Sequence, residues 1–120
     1  MKFGEFFRLL RAKNRLSLRE FCLVNGYDPA NISRLERGLL PPPESREKLE
    51  AYAKALRIKE GSDDWYTFFD LAAAERGRIP QDVLKDSELV GMLPVLFRTL
   101  RGQRVDPDAL DDLVERIRRA

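Results

Sequence analysis

The first apolar residues of the chain recur at helical spacing. Phe3, Phe7 and Leu10 fall on one face while Arg8 and Arg11 fall on the other, which predicts a helix from Lys2 or Phe3 to about Asn14. Phe6 and Leu9 widen that apolar arc and suggest either a generous core or a second docking surface. Ser17, three residues before Glu20, is a capping-box signal that opens a second helix with Leu18, Phe21 and Cys22 inward. Gly26 marks a sharp turn. Asp28-Pro29 follows, an N-cap acid with proline at the first helical position, and predicts a third helix from Asp28 through Arg37. Ile32 and Leu35 form its buried side, and Gly38 ends it.

Leu39-Leu40-Pro41-Pro42-Pro43 reads as an extended connector, because each proline disfavours helix in the residue before it. Leu49, Tyr52, Ala53 and Leu56 then predict a fourth helix over Glu44 to Arg57. Gly61-Ser62 breaks the chain and caps a fifth helix from Asp63 to about Arg76, rich in Trp65, Tyr66, Phe68, Phe69 and Leu71. Gly77 to Gln81 reads as a loop around Pro80, and a helical stretch from Ser87 to Arg101 contains Pro94, which predicts a kink or division there. Asp106-Pro107 repeats the N-cap-plus-proline signal and opens a last helix striped by Leu110, Leu113, Val114 and Ile117. No segment alternates with period two, so the predicted fold is all-α.

Composition narrows the function. The 120 residues are 43% hydrophobic and 35% charged, enough for a core under a well-solvated surface. There is no histidine and a single cysteine, Cys22, so histidine-based nucleophile systems, histidine or thiolate metal cages and an internal disulfide have no residues to build them. The seven glycines are scattered singly and form no phosphate-cradling loop. Asp63-Asp64 and Asp111-Asp112 are sequence neighbours, about 100° apart on a helix, and read as dipole and solvation residues. No catalytic residue, metal or cofactor is expected, and an enzyme is not. The start of the chain lacks the pattern of a signal peptide and no apolar run reaches membrane-spanning length, so a cytoplasmic protein without membrane contact is expected.

The net charge is only +2, but residues 1–60 hold 13 Lys/Arg against 8 Asp/Glu, and residues 61–120 hold 9 against 12. A basic first half suggests a polyanionic partner, and an acidic second half suggests a different task. Chance asymmetry on a solvated surface would look much the same.

The string from Leu16 to Gly38 adds a stronger signal. It runs Leu-Ser-Leu-Arg-Glu-Phe-Cys, then Asn-Gly-Tyr-Asp, then Pro-Ala-Asn-Ile-Ser-Arg-Leu-Glu-Arg-Gly. This resembles the phage-repressor-like (XRE, Cro/CI-type) helix-turn-helix family over residues 3–58, most specifically at Ile32-Ser33-Arg34-Leu35-Glu36-Arg37-Gly38 and the prolines that follow. The chain departs from the family at three places. Leu18 stands where glutamine is frequent, Asn25 where leucine precedes the glycine, and Arg57 where glycine often ends the fourth helix. The resemblance implies a five-helix lambda-repressor-like domain, with a DNA-binding part over residues 1–61 and a helical extension over 62–120.

It also implies that the third helix lies in the major groove of double-stranded DNA. By position, the base-facing residues are Pro29, Ala30, Asn31, Ser33 and Arg34. Arg34 has the planar fork that matches guanine O6 and N7, Pro29 and Ala30 offer apolar contact to thymine methyls, and Asn31 suits adenine or a phosphate. Arg19 and Arg37, with Arg15 and Arg46 behind them, are phosphate candidates, surface ion pairs being the ordinary alternative. Glu36 reads as holding a structural salt bridge or a backbone bond and not as meeting DNA, and Cys22 reads as a small core residue.

One such unit touches few base pairs, so a homodimer on paired half-sites is expected. The acidic extension could join two copies, receive a protein partner such as a toxin, or only pack on the first domain. Two function classes stay open. One is a dimeric, autoregulatory repressor, in which an antitoxin of a toxin–antitoxin pair is included. The other is a protein-interaction adaptor that keeps the fold without binding DNA.

Overall fold

The computed structural model describes residues 1–119, apart from the side chain of Gln81. Among these residues it is all helical, as the periodicity requires: α1 (Phe3–Lys13), α2 (Leu18–Asn25), α3 (Pro29–Glu36), α4 (Arg46–Ala55), α5 (Asp63–Glu75), α6 (Gln81–Leu84), α7 (Ser87–Leu100) and α8 (Pro107–Arg119). No helix among them is long and apolar enough to cross a membrane.

The helices begin where side chains satisfy their first free N–H groups. Ser17 Oγ accepts from Glu20 N, Ser45 Oγ from Lys48 N and Ser62 Oγ from Trp65 N. The Ser45 cap starts α4 two residues later than the Glu44 start predicted from sequence. Glu44 instead accepts from Arg76 and Arg78. Helix α1 has no capping side chain of its own at Lys2. Glu75, at the far end of α5, supplies one by accepting from Phe3 N at 2.7 Å.

Several helices end in the same two-bond motif, in which the residue after the C-cap takes a positive φ. At α3, Gly38 N bonds Leu35 O and Leu39 N bonds Arg34 O, with Gly38 at φ +76°. Helix α4 closes identically through Arg57 N to Lys54 O and Ile58 N to Ala53 O, but there an arginine sits at φ +58°. Arg15 does the same after α1. The backbone geometry of the motif is retained without glycine's freedom at these two sites.

The chain forms two compact units, Met1–Arg78 and a second beginning at Ile79. The first therefore continues past the division at residue 61 that the sequence suggested, and takes in α5. The reason is aromatic packing. Phe68 is wholly buried with its ring 4.8 Å from that of Phe3, and Phe7 stands edge-on to both Phe21 and Tyr52. Phe6 is buried in this core and does not serve as an outer docking residue, whereas Leu9 remains 52% exposed. Arg76 completes the attachment by donating to the carbonyl oxygen of the buried Pro42 at 2.7 Å, which fixes the proline connector.

In the second unit, α7 and α8 pack together through Leu89, Leu93 and Leu113. Helix α7 is not divided at Pro94. That residue is exposed, so the hydrogen bond its ring removes lies on the solvent side. Arg116 of α8 donates twice to Asp86, the N-cap of α7, and also pairs with Glu88 at 3.2 Å.

Candidate nucleic-acid interface

The site is the outer face of α3 and the turn that sets it. Gly26, at φ +72°, ends α2 and reverses the chain within two residues of Asp28. Asn25 donates to the Phe21 carbonyl at 2.9 Å and so reinforces the end of α2. Tyr27 then inserts between α2 and α4, with ring centroids 5.9 Å from Phe21 and 5.1 Å from Tyr52. Asp28 accepts from Ala30 N at 3.3 Å, and Pro29 occupies the first helical position.

Helix α3 is only eight residues long, and an isolated helix of that length does not persist in water. Its order comes from its inner face. Ile32 and Leu35 are 2% and 5% exposed. Gly4 of α1 lies directly on its last turn, where an added Cβ would overlap the Leu35 carbonyl oxygen and sit 2.7 Å from that of Glu36. Glu36 itself is buried and accepts from Arg11 Nε at 2.8 Å and Nη2 at 2.9 Å. Arg11 also donates to the Leu16 carbonyl. Arg11 thus leaves the exposed face assigned to it from the α1 periodicity, because its carboxylate partner is inside. The paired charge raises the Arg11 pKa above its ordinary value, chiefly through the Glu36 hydrogen bond. Cys22 lies in the same region, 1% exposed, and burial pushes its thiol pKa up, which disfavours the thiolate.

With that inner face fixed, Pro29, Ala30, Asn31 and Arg34 are all exposed, and Ser33 is half-buried. Asn31 Oδ1 accepts from Arg34 Nη1 at 3.1 Å, one turn along the helix. The bond uses the amide oxygen and leaves the Asn31 NH2 and most of the Arg34 fork outward. Asn31 therefore acts on Arg34 before it acts on any outside ligand. Sequence reasoning named the two residues separately and missed their pairing, although their i, i+3 spacing contained it.

The four phosphate candidates fall in different settings. Arg19 is exposed in the first turn of α2. Arg15 is exposed in the turn after α1. Arg37 is exposed at the C-cap of α3, with Nε 3.3 Å from the Ser33 carbonyl oxygen. Arg46 begins α4, with its guanidinium 4.0 Å over the Phe69 ring and Nε 3.1 Å from Glu50. It is the one of the four with an acidic partner among the described residues. A cleft of about 400 Å³ runs beside α3, between the turn at Tyr27, the proline connector and α4, with Lys48 at its edge.

Residues 2–62 match the model of a family described as a helix-turn-helix domain. No curated protein and no solved structure matches the chain.

Proposed function

The chain belongs to the helix-turn-helix domain family, and on that premise we propose that it is a sequence-specific regulator of transcription that binds double-stranded DNA through α3. The observation that carries this reading is the contrast between the two faces of α3. Its inner face is held by two buried aliphatic residues and a buried ion pair, while its outer first turn presents Pro29, Ala30, Asn31 and Arg34 to solvent. A short rigid helix with one exposed guanidinium fork suits the major groove, where a bidentate arginine distinguishes guanine. Arg15 and Arg19, exposed on neighbouring elements, and Arg37, exposed at the C-cap of α3, supply the backbone contacts that set its register.

The reading extends to a phage-repressor-like regulator that acts in the cytoplasm as a repressor on paired half-sites, with no enzymatic step. Two copies are needed because five base-facing residues, two of them apolar, specify few base pairs. A role as the antitoxin of a toxin–antitoxin pair belongs to the same class, with the second unit available to the toxin.

The test is binding to a pool of random duplexes over a range of salt. About three phosphate contacts per copy and two copies predict that affinity falls roughly 10³-fold between 50 and 200 mM salt. No binding at low salt would remove DNA as the partner and leave the interaction-adaptor reading in its place.

A further inference from the structure

Helix α8 is ordered by charge along its axis. Asp108, Asp111 and Asp112 lie in its first half, and Arg116, Arg118 and Arg119 in its last turn, where Glu115 pairs with Arg119 at 3.2 Å and leaves the end net basic. Its apolar residues divide between two faces. Leu113 is 1% exposed on the side where α7 and α8 pack, and Arg116 is tied down by Asp86 and Glu88 of the same unit. Val114 and Ile117 are 39% and 49% exposed, and Leu110, one turn before Val114, is half-buried. At about 100° per residue, Leu110, Val114 and Ile117 form one line at i, i+4 and i+7, roughly 70° around the helix from Leu113.

Asp111 and Arg118 flank that line on the side away from Leu113. Seven residues separate them, so they differ by only about 20° around the helix. Neither makes an ion pair among the described residues. An apolar line bordered on one free flank by an acid near its start and a base near its end is complementary to itself when reversed.

We infer that α8 is a self-association surface on which two copies of this chain pair antiparallel. Val114 lies near the twofold axis, Leu110 of each copy meets Ile117 of the other, and Asp111 of each copy faces Arg118 of the other. The antiparallel sense follows from the charges. A parallel pair would set acidic half beside acidic half and basic half beside basic half, whereas reversal sets each against its opposite. It also follows from symmetry, since in an antiparallel twofold pair a given flank meets the same flank of its partner.

This inference rests on the two-copy reading above, but its test needs no DNA. The full chain is measured by sedimentation equilibrium as wild type, Asp111→Arg and Arg118→Asp, with circular dichroism to confirm that helix content is retained. Each single variant places like charges opposite one another and is expected to weaken dimerisation at least 10-fold. An equal mixture of the two is expected to restore it, because each chain of the mixed pair then supplies what the other lacks. A separate Val114→Cys protein is expected to form an intermolecular disulfide under mild oxidation. Single variants that dimerise as well as wild type, a mixture that stays monomeric, or no disulfide at residue 114 would overturn the assignment to α8. If wild type still dimerises in those cases, the two-copy reading survives with another interface. A wild type that stays monomeric in sedimentation would overturn the assignment to α8, while the two-copy reading would fall only if operator titration also gave one copy per duplex.

Discussion

Arg11 on α1 grips Glu36 at the end of α3 with two parallel hydrogen bonds of 2.8 and 2.9 Å, and the two side chains are only 11% and 5% exposed. The pair ties the scaffold helix to the helix proposed to read DNA. It acts at the end opposite to the exposed first turn, so it fixes direction without occupying the reading face. Removing one partner would strand the other charge inside, which costs about 3–5 kcal/mol. Glu36→Gln and Arg11→Ala are each expected to lose stability on that scale in urea unfolding. The double replacement Arg11→Met with Glu36→Leu is expected to recover most of it. A single variant within about 0.5 kcal/mol of wild type would show that the bridge contributes little.

Gly4 lets α1 touch the last turn of α3, where no Cβ fits against the carbonyls of Leu35 and Glu36. Gly4→Ala gains helix propensity but must push the two helices apart, and overpacking of this kind costs about 1–3 kcal/mol. Thermal unfolding checks it. An unchanged or raised midpoint would show that the contact relaxes freely.

Arg57 holds a positive φ where the end of α4 has a glycine-type turn. Arg57→Gly relieves about 1–2 kcal/mol of left-handed strain and returns roughly half of that as chain entropy in the unfolded state. A net gain of about 0.5–1 kcal/mol is expected, with no gain for Arg57→Ala, which keeps the strain. Equal effects of the two replacements would point to the arginine side chain and not to the backbone.

These cases show what the sequence could and could not reveal. The helices were legible because their boundaries are local chemistry: Ser17, Asp28-Pro29, Ser62 and Asp106-Pro107 all mark helix starts in the structure. The exposed face of α3 was legible for the same reason, since Ile32 and Leu35 define the opposite side. What escaped notice depends on partners distant in sequence. Arg11 looks solvent-facing until Glu36, 25 residues on, is brought to it. The extent of the first unit was missed because Glu75 and Phe68 meet Phe3 only after folding.

The second unit has its own pH dependence. Arg116, and next the Leu89 N–H, hold the Asp86 carboxyl below its ordinary value of 3.8. A lowered folded-state pKa stabilises above the unfolded value and loses that contribution as pH falls through the folded one. The α7–α8 pair is therefore expected to keep its full stability above pH 5 and to weaken from about pH 4 downward. Amide hydrogen exchange of α7 and α8 at pH 6 and pH 3 measures this. Asp86→Asn is expected to flatten the difference, and a variant with the wild-type profile would place the dependence elsewhere.

The central claim is that the outer first turn of α3 reads bases, with Arg34 as its main polar reader and Asn31 as its brace. Its most direct test takes a duplex selected from a random pool, together with each single-base-pair variant, and measures the affinity of wild type, Asn31→Ala and Arg34→Ala at fixed salt. Arg34→Ala is expected to lose about 1–3 kcal/mol on the selected site and to become indifferent at one base pair, a guanine contact in wild type. Asn31→Ala is expected to lose less, with its effect concentrated at that same base pair. A uniform loss across every duplex would make Arg34 a phosphate contact, and undiminished discrimination in the Arg34→Ala protein would contradict the account.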